Sequence, residues 1–225
     1  MPVMDDIKES HSKLEGKGFK YRVKYFWDYY RVTTLVVVLV AIFLFSIIKT
    51  IVTAKTPAFE VIFMNAIATP DQTEFAKEIE IDEKKYEVVF DAAYNMNVSQ
   101  ESYDQATYTT AQKLMAVVAS GTADAMLCDP SIAEYYSSSD IFADLRDIYS
   151  KEELALIEDK LVWFTPVNPE TGESLGYEVP YAIDVTDSAT LNSIPCFLSE
   201  KVYMMVVVNT KHTDYVKEFY NYLYK

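Results

Sequence analysis

The chain has 225 residues, of which 50 % are hydrophobic and 24 % charged, with only 5 Gly and 8 Pro. That composition excludes wholesale disorder and leaves room for one ordinary domain plus an appendage. Two cysteines exclude a disulfide scaffold, and a formal charge of −14 argues against nucleic acid as a partner, because phosphate backbones call for clustered positive charge.

The first element in chain order is an apolar helix. Val32 to Ile48 carries no charge, and only Thr33, Thr34 and Ser46 in it are polar. Ile51 and Val52 extend the run, so 32–52 is predicted to span a bilayer, with lipid as its partner. A buried core helix would show a polar stripe, which this segment lacks. Ahead of the span stand seven Lys/Arg against five Asp/Glu, and after Lys49 twelve against twenty-nine. Basic residues close to a span mark its cytoplasmic side, so 1–31 is expected to be a cytoplasmic tail and everything beyond the span extracytoplasmic. Val52-Thr53-Ala54 resembles a signal-peptide cleavage site, but a positive region of some thirty residues favours an uncleaved anchor. Trp27, Tyr29, Tyr30 and Arg31 then form the inner interface and Lys49 snorkels at the outer end. Lys17, Lys20, Arg22 and Lys24 either bind anionic lipid or only set this orientation.

Beyond a linker (53–58), residues 59–225 read as an α/β domain. Phe59 to Met64 is β-rich, and Pro70-Asp71 opens a helix toward Ile79. Tyr86 to Phe90 is the second strand. A long helix follows from about Tyr103 to Ser120, with Ala111, Leu114, Met115 and Val118 on one face and Gly121 ending it. Ala123 to Cys128 is the third strand, stopped by Asp129-Pro130. A short helix, a turn at Asp140 and a helix from Lys151 to Val162 come next, and 165–195 is expected to be irregular and a candidate binding rim. Tyr203 to Val208 is continuously apolar, as a strand covered on both faces would be. The last helix starts at Thr213 or Asp214 and sets Tyr215, Val216, Phe219, Tyr222 and Leu223 at helical spacing. Alternating strands and helices predict a mostly parallel sheet.

Catalytic motifs are scarce. The two histidines are His11, in the tail, and His212, ahead of the last helix, where a capping or solvent-facing role is expected. HExxH, GxSxG, GxGxxG and GxxxxGK[ST] do not occur, so the chain is not expected to be an enzyme or to hold a cofactor. Asp184, Thr186, Asp187 and Ser188 lack the Gly turn and closing Glu of a calcium loop. Cys128 and Cys196 either bridge or stay as buried thiols, and the place of Cys128 in an apolar strand favours the second.

Four segments carry a resemblance. Lys113 to Pro130 is a helix, a glycine and a strand ending in aspartate; Phe142 to Leu145 reads F-x-D-L; Gly176 to Ala182 reads G-Y-E-V-P-Y-A; and Val208 to Leu223 passes from a strand into an aromatic helix. In this order they resemble the extracellular solute-binding proteins of ABC importers, the periplasmic-binding-protein-like family. The resemblance implies a periplasmic-binding-protein-like fold, with Asp129, Tyr181 and Asp184 facing any residual cleft. The chain departs from the family in its length and in having a membrane helix where a lipid-anchoring cysteine usually stands. Together these readings lead to the expectation of a membrane-anchored accessory or sensor domain that contacts a partner protein. The alternative is a binder of sugar, peptide or amino acid that serves an importer.

Overall fold

A computed structural model describes residues 18–98, 104–168 and 171–225. Residues 1–54 and 55–225 form two separate compact units.

Among its described residues the first unit contains one helix, α1 (Phe19–Thr53). It starts well before the apolar run because nothing from Phe19 to Arg31 breaks a helix: there is no Pro, and the Gly at 18 precedes it. Within it, Tyr30–Thr53 is long and apolar enough to cross a membrane, and none of that stretch is buried against the rest of the described chain. Trp27 and Arg31 are exposed, Tyr30 is partly exposed, and Lys49 lies exposed about 27 Å along the axis from Arg31, close to the thickness of a hydrocarbon core. Tyr29 shares the helix. The hydroxyls of Thr50 and Thr53 donate to the carbonyls of Ser46 and Lys49, which satisfies them inside the helix. Only Ala54 and Lys55 then separate α1 from the first strand, so the expected linker of 53–58 is shorter than its composition suggested.

The second unit contains β1 (Thr56–Met64), α2 (Gln72–Glu78), β2 (Tyr86–Tyr94), α3 (Gln105–Ser120), β3 (Ala125–Cys128), α4 (Pro130–Tyr136), α5 (Leu145–Ile148), α6 (Lys151–Leu156), β4 (Leu161–Phe164), β5 (Val179–Asp184), α7 (Ala189–Ser193), β6 (Tyr203–Val206) and α8 (Thr213–Leu223). The strands form one sheet in the order β2-β1-β3-β6-β5-β4. β1 pairs in parallel with β2 and β3, whereas β3–β6, β6–β5 and β5–β4 are antiparallel. The fold is thus α/β with a mixed sheet, and the expectation of a mostly parallel one holds only across its first three strands.

Local chemistry accounts for most element ends. Asp71, Asp104, Asp129 and Ser150 each accept backbone N–H bonds at the start of a helix, Ser150 in a reciprocal capping box with Glu153. Gly121 closes α3 at φ +68, a conformation that costs glycine little. Pro57 is tolerated in β1 because β3 joins only from Val61 onward, which leaves that end of the strand with β2 alone.

Alternation along β1 divides the core. Phe59, Val61 and Phe63 face one layer with Phe75 of α2 and Val216, Phe219 and Tyr222 of α8. Ile62 and Met64 face the other with Leu114 and Val118 of α3 and Ile132 and Tyr136 of α4. Phe59, Phe75, Phe90 and Phe219 meet at ring separations of 5.4–6.1 Å. Burying each such ring stabilises the fold by roughly 2–3 kcal/mol. β6 is covered on both faces as expected, Met204 in the first layer and Met205 in the second.

Three expectations are corrected. The helix from Lys151 ends at Leu156, and Leu161 to Phe164 is a strand, because the β-prone Leu-Val-Trp-Phe run gains a ladder on β5. The stretch 165–195 contains β5 and α7; Pro180 hid the strand, yet it sits outside the β5–β6 ladder, which begins at Ala182. Met115 is half exposed, because the buried stripe of α3 is the narrower Thr107, Leu114 and Val118. Cys128 and Cys196 are free thiols, buried in opposite core layers.

Candidate functional site

β1, β2, β3 and β5 run in one direction and β6 and β4 in the other. Tyr203 of β6 pairs with Cys128 on one side and Asp184 on the other, so Asp129 and Asp184 stand at the same end of the sheet, about 10 Å apart by strand spacing. Tyr181 lies three residues back along β5, half-buried against the second core layer.

Each of the three is engaged by its own surroundings. Asp129 caps α4: its Oδ1 accepts N–H bonds from Ser131 (2.9 Å) and Ile132 (3.1 Å) and the Ser131 hydroxyl, and Asn65 Nδ2 donates to its Oδ2 at 3.0 Å. Partial burial would raise this carboxyl, but the bonds from Ser131, Asn65 and the α4 amides outweigh it and hold the group low. Asp184 Oδ1 accepts the Thr186 N–H at 3.0 Å in a local turn. The Tyr181 hydroxyl is pushed up by burial and then by Tyr177, Asp144 and Asp140, with Arg146 offsetting part. Asp187, also singled out in the sequence, pairs with Lys160 (2.8 Å) and accepts from the Tyr224 hydroxyl (2.7 Å).

β1 has β2 on one side and β3 on the other, so the carboxyl ends of β1 and β3 form the switch point at which open α/β sheets place ligands. Here the polar groups of Asn65, at φ +60, serve the protein itself: its amide donates to Asp129 and to the Met96 carbonyl and accepts the Met96 N–H.

A more open concavity lies at the opposite edge of the sheet. β4 pairs only with β5, and between it and α5 and α6 runs a groove of about 530 Å³, of ligand-pocket size. Its floor is apolar: Leu154, Ala155, Leu161, Trp163 and Pro180. Trp163 is 47 % exposed, although an indole is among the most favourable groups to bury. Charges stand at the rim. Arg146 is held in a fork by Asp144, with Nε at 2.9 Å from both oxygens, and Lys151 and Glu158 add one charge of each sign. Tyr149 forms part of the wall; its hydroxyl is buried without a hydrogen-bond partner among the described residues and pushed up chiefly by burial.

The groove was not legible in the sequence, where its two halves belonged to a helix and an irregular stretch. The signal present was the aromatic β-prone run around Trp163, Leu161 to Phe164. Among the described residues no group of three or more His, Cys, Asp or Glu could hold a metal ion. No protein-family model, curated protein or solved structure matches the chain.

Proposed function

We propose that this protein is a membrane-anchored, non-enzymatic accessory or sensor whose C-terminal domain works outside the cytoplasm and docks an extended apolar segment of a partner protein in the β4 groove. The observation that supports it is the half-exposed Trp163 on an edge strand, beside an apolar groove. An edge strand offers unpaired backbone N–H and C=O groups, and an apolar groove next to it offers pockets for alternate side chains. The basic residues ahead of the apolar helix support the orientation. The four-segment resemblance to solute-binding proteins supports a binding role without catalysis, and a reduced domain of that kind would contact a protein in place of a solute.

The test is site-specific photocrosslinking of the full chain in its native membrane, with benzoylphenylalanine at position 163 and, as control, at the exposed Tyr108. A single protein adduct at 163, absent at 108 and lost when Leu154 is changed to Asp, is the expected result. No adduct, together with a melting temperature raised by a sugar, peptide or amino acid, would sink the docking reading and establish the solute binder.

A further inference from the structure

Asp124, immediately ahead of β3, is fully buried, and its bonds are all internal. Oδ2 accepts the Glu60 N–H (3.0 Å), while Oδ1 accepts the Thr210 hydroxyl (2.6 Å) and lies 3.0 Å from His212 Nδ1. A carboxylate only accepts, so in the neutral ring the proton sits on Nδ1 and Nε2, on the far side of the imidazole, is left as an acceptor. His212 is stacked on Tyr215 (ring centroids 5.9 Å, 23° between planes), which fixes the ring plane as well.

This oriented imidazole lines an open concavity of about 570 Å³ at the amino ends of β1 and β2, well away along the sheet from the β4 groove. Thr56, Glu80, Asp82, Tyr86 and Tyr215 complete its polar and aromatic lining, and among the described residues no lysine or arginine lines it. An acceptor nitrogen and two carboxylates, with two phenol rings, accept hydrogen bonds and attract positive charge; apart from the hydroxyls, they offer a ligand no donor. The chain beyond Lys49 carries twelve basic against twenty-nine acidic residues, a field that concentrates cations.

The geometry points to a binding site for a small organic amine: a protonated amino group donates to His212 Nε2 and to Asp82 or Glu80, and its alkyl portion lies against Tyr86 and Tyr215. Asp124 is a positioning residue, holding the tautomer that accepts. The site is independent of the β4 groove.

The test is calorimetric titration of the full chain in phosphatidylcholine nanodiscs with putrescine and spermidine, and with 1,4-butanediol as the uncharged counterpart. The imidazole proton resonances are followed in parallel; the chain has 2 histidines, so the His212 signal is assigned by its loss in His212→Gln. Expected are saturable binding of the amines with Kd below about 1 mM, none of the diol, a shift of the His212 resonance, and at least tenfold weaker binding in Asp82→Asn and His212→Gln. Asp82 lies on an exposed loop, so its variant reports on the site even if His212→Gln perturbs folding. Absence of saturable binding overturns the proposal. So does unchanged affinity in both variants, which would assign the amines to the acidic surface at large. Trp163→Ala leaves the titration unchanged.

Discussion

Asn65 and Asp129 join the carboxyl ends of β1 and β3 through a 3.0 Å bond from the Asn65 amide to Asp129 Oδ2. The same amide exchanges two bonds with Met96 beyond β2, at 2.8 and 2.9 Å. One side chain therefore fixes all three parallel strands at the end where such sheets usually take ligands, and Asp129 is held there to start α4.

Asn65→Ala removes these bonds and places a Cβ-bearing residue without a local hydrogen bond at φ +60. The expected loss is about 3 kcal/mol in urea unfolding. Asn65→Gly restores the backbone freedom alone and is expected to be milder by about 1 kcal/mol. Equal losses in the two variants would show that the strained φ contributes nothing.

Glu60 is nearly buried, and its carboxyl is raised above its ordinary 4.5, first by burial and then by Asp91 and Asp124, with Lys113 offsetting part. A carboxyl raised in the folded state contributes stability below its ordinary pKa and loses that contribution as pH climbs through the raised value. Glu60→Gln, which cannot ionise, should therefore melt higher than the parent at pH 7, by roughly 2–5 °C, with the gap closing toward pH 4. A gap that widens toward pH 4 would mean that the ionised form is the stabilised one.

Cys128 and Cys196 lie in opposite core layers, and burial pushes both thiols up. Neither is expected to react with Ellman's reagent in the native state, and both should react in guanidinium, with no change of mobility on non-reducing gels. Loss of both thiols after mild oxidation of the native protein would contradict their separation.

Trp163→Ala is expected to change stability by less than about 1 kcal/mol, because the ring is half in solvent already. Phe219→Ala, at a fully buried ring, should cost about 3–5 kcal/mol. Matched thermal melts separate a side chain kept for contact with a partner from one kept for packing; similar losses at the two positions would assign Trp163 to the core.

The local features were legible because their free energies are local. An uninterrupted apolar run from Val32 to Ile48 reads as a helix suited to a bilayer, Gly121 and Asp129 mark ends by their own backbone chemistry, and the Val216-Phe219-Tyr222-Leu223 spacing defines the buried face of α8. Of the expected cleft residues, the sequence placed Asp129 at the end of a strand, where it is, whereas Tyr181 and Asp184 fell in a stretch read as irregular that contains β5.

Tertiary structure decided the rest. Pairing direction depends on where the connections between strands run: β6 returns antiparallel to β3, and β5 and β4 follow it, although nothing within Tyr203–Val206 encodes that choice. The β4 groove exists only because a strand whose first half was read as helix pairs with one hidden by Pro180, and Asp124 meets His212 across 88 positions of sequence. Hydrophobic periodicity and caps act over a few residues and can be read along the chain. Ladder partners, grooves and buried ion–imidazole contacts arise from loop closures and long-range packing, which no local pattern specifies.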